Sequence, residues 1–239
     1  MTLLIARRCT NGVVLVTDSR MTIDGQGKSS SQRVTKVYKV KDDFLLAWSG
    51  SQSISQAFAL RFQESDISTT QSRLEIEKKC RAIIQELKAA GYGDDYGEWL
   101  LAWWSVPDEI PVLLHLLSER PGEWVEDWKF AGNQDVTRTA RLLSTGLRFF
   151  PRSALTLEPA KVLALKVMRD TLEVGHPTIG GEAQLGTVSK IGVRVPAGTD
   201  LQAVHDTLDA LESQWAEALV GDTQVPADTT TPDAGVSLF

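Results

Sequence analysis

The apolar positions of this chain follow two rhythms, which alternate in blocks. "TLLIARR" (2–8) and "VVLVT" (13–17) are short and mostly apolar, with "TNG" (10–12) between them. Two strands joined by a tight turn are predicted. Residues 21–33 (MTIDGQGKSSSQR) are polar and rich in Gly and Ser, and read as a loop. "VTKVYKV" (34–40) alternates with period two, and after a turn at 41–43 the stretch "FLLAWSG" (44–50) ends in a glycine. Both read as strands. The rhythm then lengthens. Residues 51–64 carry Ile54, Phe58, Leu60 and Phe62, and residues 71–90 carry Leu74, Ile76, Cys80, Ile83, Ile84 and Leu87 on one side. Two helices are predicted, the second ending at Gly91.

Strand patterns return in "EWLLAWWSV" (98–106), "PVLLHLLSE" (111–119) and "EWVEDWKFAG" (123–132). Helices follow over 134–147 and 158–174, then a strand, "TVSKIGVRV" (187–195). A last helix, 199–219, carries Leu201, Val204, Leu208, Leu211, Trp215 and Leu219 on one stripe. Past Gly221 the chain has Asp, Thr and Pro but neither Lys nor Arg, so 221–239 is expected to be a disordered tail on a single domain, 1–220. Strand runs and helix runs alternate without a strict βαβ beat. The expected class is α+β: a four-layer α-β-β-α sandwich of two stacked antiparallel sheets flanked by helix pairs.

Composition narrows the function. The chain has 239 residues, 42% hydrophobic and 23% charged, as in ordinary globular proteins. A formal net charge of −6 argues against nucleic acid as a partner. No apolar run approaches a membrane span, and "LLIA" is too short for a secretory signal. Two cysteines, Cys9 and Cys80, make no disulfide framework, so a cytoplasmic protein is expected. His115, His176 and His205 are scattered, with no metal-ligand spacing, and no cofactor is expected. "GQGKSS" (25–30) lacks the first glycine of a phosphate loop, where Thr22 stands.

The candidate chemistry lies at the front. Methionine aminopeptidases remove Met1 when a small residue such as threonine follows. Thr2 would then carry its hydroxyl beside a free α-amine, a base with an unperturbed pKa of about 7.7–8.0. That pairing activates a threonine nucleophile. It needs a cation to favour the alkoxide, a carboxylate to hold that cation, and an N–H to receive the oxyanion. Asp18 at the end of the second strand, Lys36 in "RVTKVYKV", and Gly50 at the end of "LLAWSG" supply the residue types.

Thr2, "NGVVLVTDSR", "TKVYKV" and "AWSGS", in that order, resemble the N-terminal part of a proteasome β-type subunit or bacterial proteasome homologue, among the N-terminal-nucleophile hydrolases. The resemblance implies the same four-layer fold and a threonine peptidase with Thr2, Asp18, Lys36 and Gly50 in the catalytic set. Arg20 would support them from behind. It also implies homo-oligomeric double rings, peptide or unfolded-protein substrates, and an unidentified ATPase unfoldase as a possible partner. Trp48 would form the floor of the main side-chain pocket, with Met21 and Tyr38 beside it. An indole floor leaves a shallow pocket, so small side chains should be preferred at the cleavage site. Two departures stand out. Gly132 occupies the place of a serine, and "GHPTIGG" puts His176 and Ile179 where an aspartate and a serine are expected, with Thr178 as a substitute hydroxyl. These departures leave two rivals: a catalytically silent ring or scaffold subunit, and an amidohydrolase acting on small amides.

Overall fold

The computed structural model describes residues 2–25, 28–145, 155–175, 179–197 and 199–221. In chain order the elements are β1 (Leu3–Cys9), β2 (Gly12–Asp18), β3 (Arg20–Gly25), β4 (Lys28–Arg33), β5 (Val37–Lys41), β6 (Phe44–Gly50), α1 (Gln52–Glu64) and α2 (Arg73–Leu87). After a π-helical turn at Lys88–Tyr92 come β7 (Gly97–Ser105), β8 (Ile110–Leu117), β9 (Glu123–Trp124), β10 (Trp128–Gly132), α3 (Gln134–Leu143), α4 (Leu157–Val174), β11 (Ala183–Ser189), β12 (Gly192–Arg194) and α5 (Thr199–Gly221). Two five-stranded antiparallel sheets result, in the orders β10-β1-β2-β11-β12 and β5-β6-β7-β8-β9. They stack between helix layers, as the four-layer sandwich requires.

The strands are apolar on both faces because both faces are covered. In β1, Leu3 and Ile5 pack toward α3, α4 and α5, while Leu4 and Ala6 pack between the sheets. In β6, Leu45 and Ala47 face the other sheet, while Leu46 and Trp48 face α1 and α2. β7 repeats the division, with Leu100 and Ala102 inside and Trp99, Leu101 and Trp103 toward the helices. The alanines let the sheets approach, and the large rings fill the wider layer beneath the helices.

Two helices carry side-chain N-caps. Ser72 and Glu75 form a reciprocal capping box on α2. The Asn133 side chain accepts from the Asp135 and Val136 N–H groups at the start of α3.

Four readings of the pattern need correction. Residues 21–25 and 28–33 lie in a hairpin, β3–β4, which pairs apart from both main sheets; a polar, Gly- and Ser-rich stretch carries no apolar alternation, so its composition mimics a loop. The run 123–132 is two strands in different sheets, β9 on β8 and β10 on β1, with the chain crossing between layers at Val125. The run 187–195 belongs to two strands, for β11 starts earlier, at Ala183, and turns back into β12. Leu60 and Leu74 are exposed, so each helix buries a narrower stripe than its apolar residues suggest. Residues 222–239, which hold almost all of the expected tail, and 146–147, the end of the expected 134–147 helix, lie outside the described residues.

Candidate active site

One end of the sandwich gathers the front-end residues. Thr2 enters β1, and Asp18 ends the neighbouring antiparallel strand, where Leu4 pairs with Thr17. Antiparallel pairing therefore brings residue 18 back beside residue 2. Lys36 leads into β5, the edge of the other sheet, and Gly50 ends β6 at the same end.

Lys36 joins the two sheets. Its Nζ donates to Thr2 Oγ1 at 2.6 Å, contacts both Asp18 carboxylate oxygens at 3.3 and 3.4 Å, and donates to the Arg20 carbonyl. The Lys36 and Asp18 side chains are almost wholly removed from solvent. Burial lowers the Lys36 pKa, and the Asp18 charge opposes that shift. Burial pushes the Asp18 carboxyl up, against Lys36 and the Leu3 and Gly180 N–H groups. Asp18 accepts from Leu3 N at 3.0 Å, Arg20 N at 3.1 Å and Gly180 N at 3.3 Å, so strand β1 and the loop before β11 are fastened to one carboxylate. The Arg20 guanidinium reaches that loop too, donating to the Ile179 carbonyl at 3.2 Å.

Gly50 and Gly132 have backbone shapes that explain their identity. Gly50 sits at φ +93°, and a Cβ there would lie 2.3 Å from the Tyr96 carbonyl oxygen. Gly132 sits at φ +104°, and a Cβ would lie 1.9 Å from the Thr2 carbonyl oxygen. With this backbone a side chain at 132 is excluded sterically. The Thr2 carbonyl accepts from Asn133 N at 3.1 Å, which ties the Thr2 main chain to the turn after β10.

The pocket residues are placed as follows. Trp48 is 2% exposed and packs among Ile54, Phe58 and Trp99, with the half-buried Tyr38 against the same cluster. Met21 lies at the start of β3 and is partly buried. Thr178 and His176 lie outside the described residues.

Two contributors went unread in the sequence. Gln184, on β11, crosses to the other sheet; its side-chain oxygen accepts from Lys36 N at 2.6 Å and Val37 N at 3.2 Å, and its amide donates to the Val34 carbonyl. Glu98, on β7, is buried and accepts from Ser49 Oγ and Gly132 N. The signal for Glu98 was an acid opening the apolar run "WLLAWW", and for Gln184 an amide within a strand. His115, on β8, contacts Glu98 through Nε2 at 2.7 Å. Among the described residues no cluster of three His, Cys, Asp or Glu would hold a metal ion, and no helix is long and apolar enough to cross a membrane.

Residues 2–101 match the family model of the proteasome subunit. No curated protein matches the chain. Among solved structures, the fold is similar to a Gly-1 mutant of Anbu from Hyphomicrobium sp. strain MC1, with a TM-score of 0.67 and 15% identity over 92% of this chain and 97% of that one. The front of the chain thus resembles a proteasome subunit, and over nearly its whole length the chain shares the four-layer sandwich fold of that Anbu structure.

Proposed function

We propose that this chain is a proteasome-like threonine peptidase subunit that hydrolyses peptide bonds through Thr2 once Met1 is removed. The observation that carries the proposal is the 2.6 Å contact from Lys36 Nζ to Thr2 Oγ1, with Asp18 against the same ammonium. The Thr2 α-amine takes the hydroxyl proton as Oγ1 attacks the substrate carbonyl. Lys36 stabilises the developing oxygen charge, and Asp18 keeps Lys36 protonated and aimed. The Gly50 N–H receives the oxyanion. Collapse expels the amine with the proton held by the Thr2 amine and leaves an ester on Thr2. Water activated by the same amine then hydrolyses the ester.

The match of the front of the chain to proteasome subunits supports assembly into homo-oligomeric double rings, with Thr2 facing an inner chamber. Enclosure would restrict substrates to peptides and unfolded chains, delivered in the cytoplasm by an ATPase unfoldase.

The steric exclusion at Gly132 favours a second reading, a catalytically silent ring subunit, because a serine is expected there to help hold the terminal amine. Intact mass spectrometry before and after a peptide epoxyketone separates the two. Loss of Met1 with an adduct on the wild-type chain and none on Thr2→Ala supports the peptidase. Retained Met1, or a free Thr2 that takes no adduct in the assembled protein, supports the silent subunit.

A further inference from the structure

Glu98 is 4% exposed and opens β7, beside the end of β6. Its Oε2 accepts from Gly132 N at 2.8 Å and from Ser49 Oγ at 3.0 Å, and its Oε1 faces His115 Nε2 at 2.7 Å. The first two contacts fall on the two parts of the site that must stay in register. Gly132 precedes Asn133, whose N–H holds the Thr2 carbonyl. Ser49 precedes Gly50, the glycine assigned to the oxyanion. One carboxylate therefore bridges the sheet that carries the nucleophile and the strand end that receives the substrate oxygen.

Ser49, Glu98 and His115 are the residue types of a hydrolytic triad, but the order is wrong. The carboxylate stands in the middle, and the serine donates to it rather than to the imidazole. All three are buried. A buried carboxylate is a costly way to tie down a turn, since apolar packing does as well for stability alone. Its distinctive property is two-sided acceptance: one oxygen takes two donors from different sheets while the other is oriented by His115. Burial opposes ionisation of Glu98, but the bonds from His115, Ser49 and Gly132 outweigh it and hold the carboxyl below its usual range.

We infer that Glu98 is a positioning residue that sets the distance between Thr2 and the Gly50 N–H by bonding Gly132 and Ser49 at once. This inference rests on the Thr2 peptidase reading.

The test uses the assembled protein with Thr2 exposed and three variants. Glu98→Leu keeps volume but accepts nothing. Glu98→Asp keeps charge but falls one methylene short. Glu98→Gln keeps an acceptor for Gly132 and Ser49. Misplacement of reacting groups by about 1 Å costs on the order of 100-fold. Glu98→Leu and Glu98→Asp should therefore lower kcat, or the epoxyketone rate, about 10- to 100-fold, with KM within about twofold. Glu98→Gln should restore the rate to within about threefold of wild type. Amide exchange at Gly132 and Asn133 should quicken in the first two variants only. If Glu98→Leu does not fold, Glu98→Asp carries the test. Undiminished kcat in Glu98→Asp, or unaltered exchange at Gly132, overturns the inference while leaving the peptidase intact. A wild-type protein that takes no adduct overturns the peptidase reading instead, and exchange then decides whether Glu98 fixes the turn.

Discussion

Gln184 holds the backbone of Lys36: its side-chain oxygen lies 2.6 Å from the Lys36 N–H, although the residues belong to different sheets. The ammonium that touches Thr2 is thus positioned at its root as well as at its tip. Gln184→Ala should slow turnover about tenfold, equivalent to about 1.4 kcal/mol of transition-state stabilisation, while leaving the melting temperature within a few degrees. Steady-state kinetics with a fluorogenic peptide checks this. A rate unchanged by the substitution would show that the Asp18 contacts alone place Lys36.

The Lys36–Asp18 pair predicts a pH profile. Burial lowers the Lys36 pKa and Asp18 opposes the shift, so removing the carboxylate charge must lower it further. On the proposed peptidase mechanism the protonated ammonium is the form that stabilises the attacking oxygen, so activity should fall as pH rises through the Lys36 pKa. Asp18→Asn should therefore move the alkaline limb of kcat to lower pH, with a drop of at least about tenfold in the plateau rate. An alkaline limb that stays in place or moves upward would assign it to another group.

At Gly132 the prediction concerns stability first. Gly132→Ala forces a Cβ toward the Thr2 carbonyl oxygen at a positive φ. The cost should be about 2–4 kcal/mol, read as a lower urea midpoint at unchanged slope. Restoring the serine expected from the proteasome resemblance should cost at least as much here, and should not raise activity.

Trp48→Ala tests the pocket. It removes a buried indole from the layer beneath α1 and should destabilise by about 3–5 kcal/mol. If Trp48 forms the pocket floor, the survivor should shift its cleavage preference from small to bulky apolar side chains, measured with a P1-varied peptide library. Wild-type protein that already cleaves after large aromatic residues contradicts the assignment.

How much of this was legible follows a physical divide. Continuous apolar runs such as "FLLAWSG" announced strands buried on both faces, and the β1–β2 turn at "TNG" fixed the antiparallel return that sets Asp18 beside Thr2. Such local signals carried the layer order and much of the site. The pattern could not say where a run changes sheets, because "EWVEDWKFAG" is equally apolar in one sheet or two; only pairing with β8 and β1 divides it. Nor could it reveal Glu98 and Gln184, whose partners lie far off in sequence, 34 residues for Glu98 and Gly132 and 148 for Gln184 and Lys36. A polar residue in a strand is ambiguous until the opposite sheet is present.

The fastening of Asp18 and Lys36 by β11 and the loop before it has a consequence for biosynthesis. Thr2, Asp18 and Lys36 are all made within the first few dozen residues. Yet Gly180 caps the aspartate and Gln184 grips the lysine's peptide, across 162 and 148 residues of chain. A ribosome-bound fragment that holds only these three residues lacks the groups that fix Asp18 and Lys36. The arrangement around Asp18 and Lys36 is therefore complete only once β11 has been made, so the order of translation delays the site until most of the chain exists.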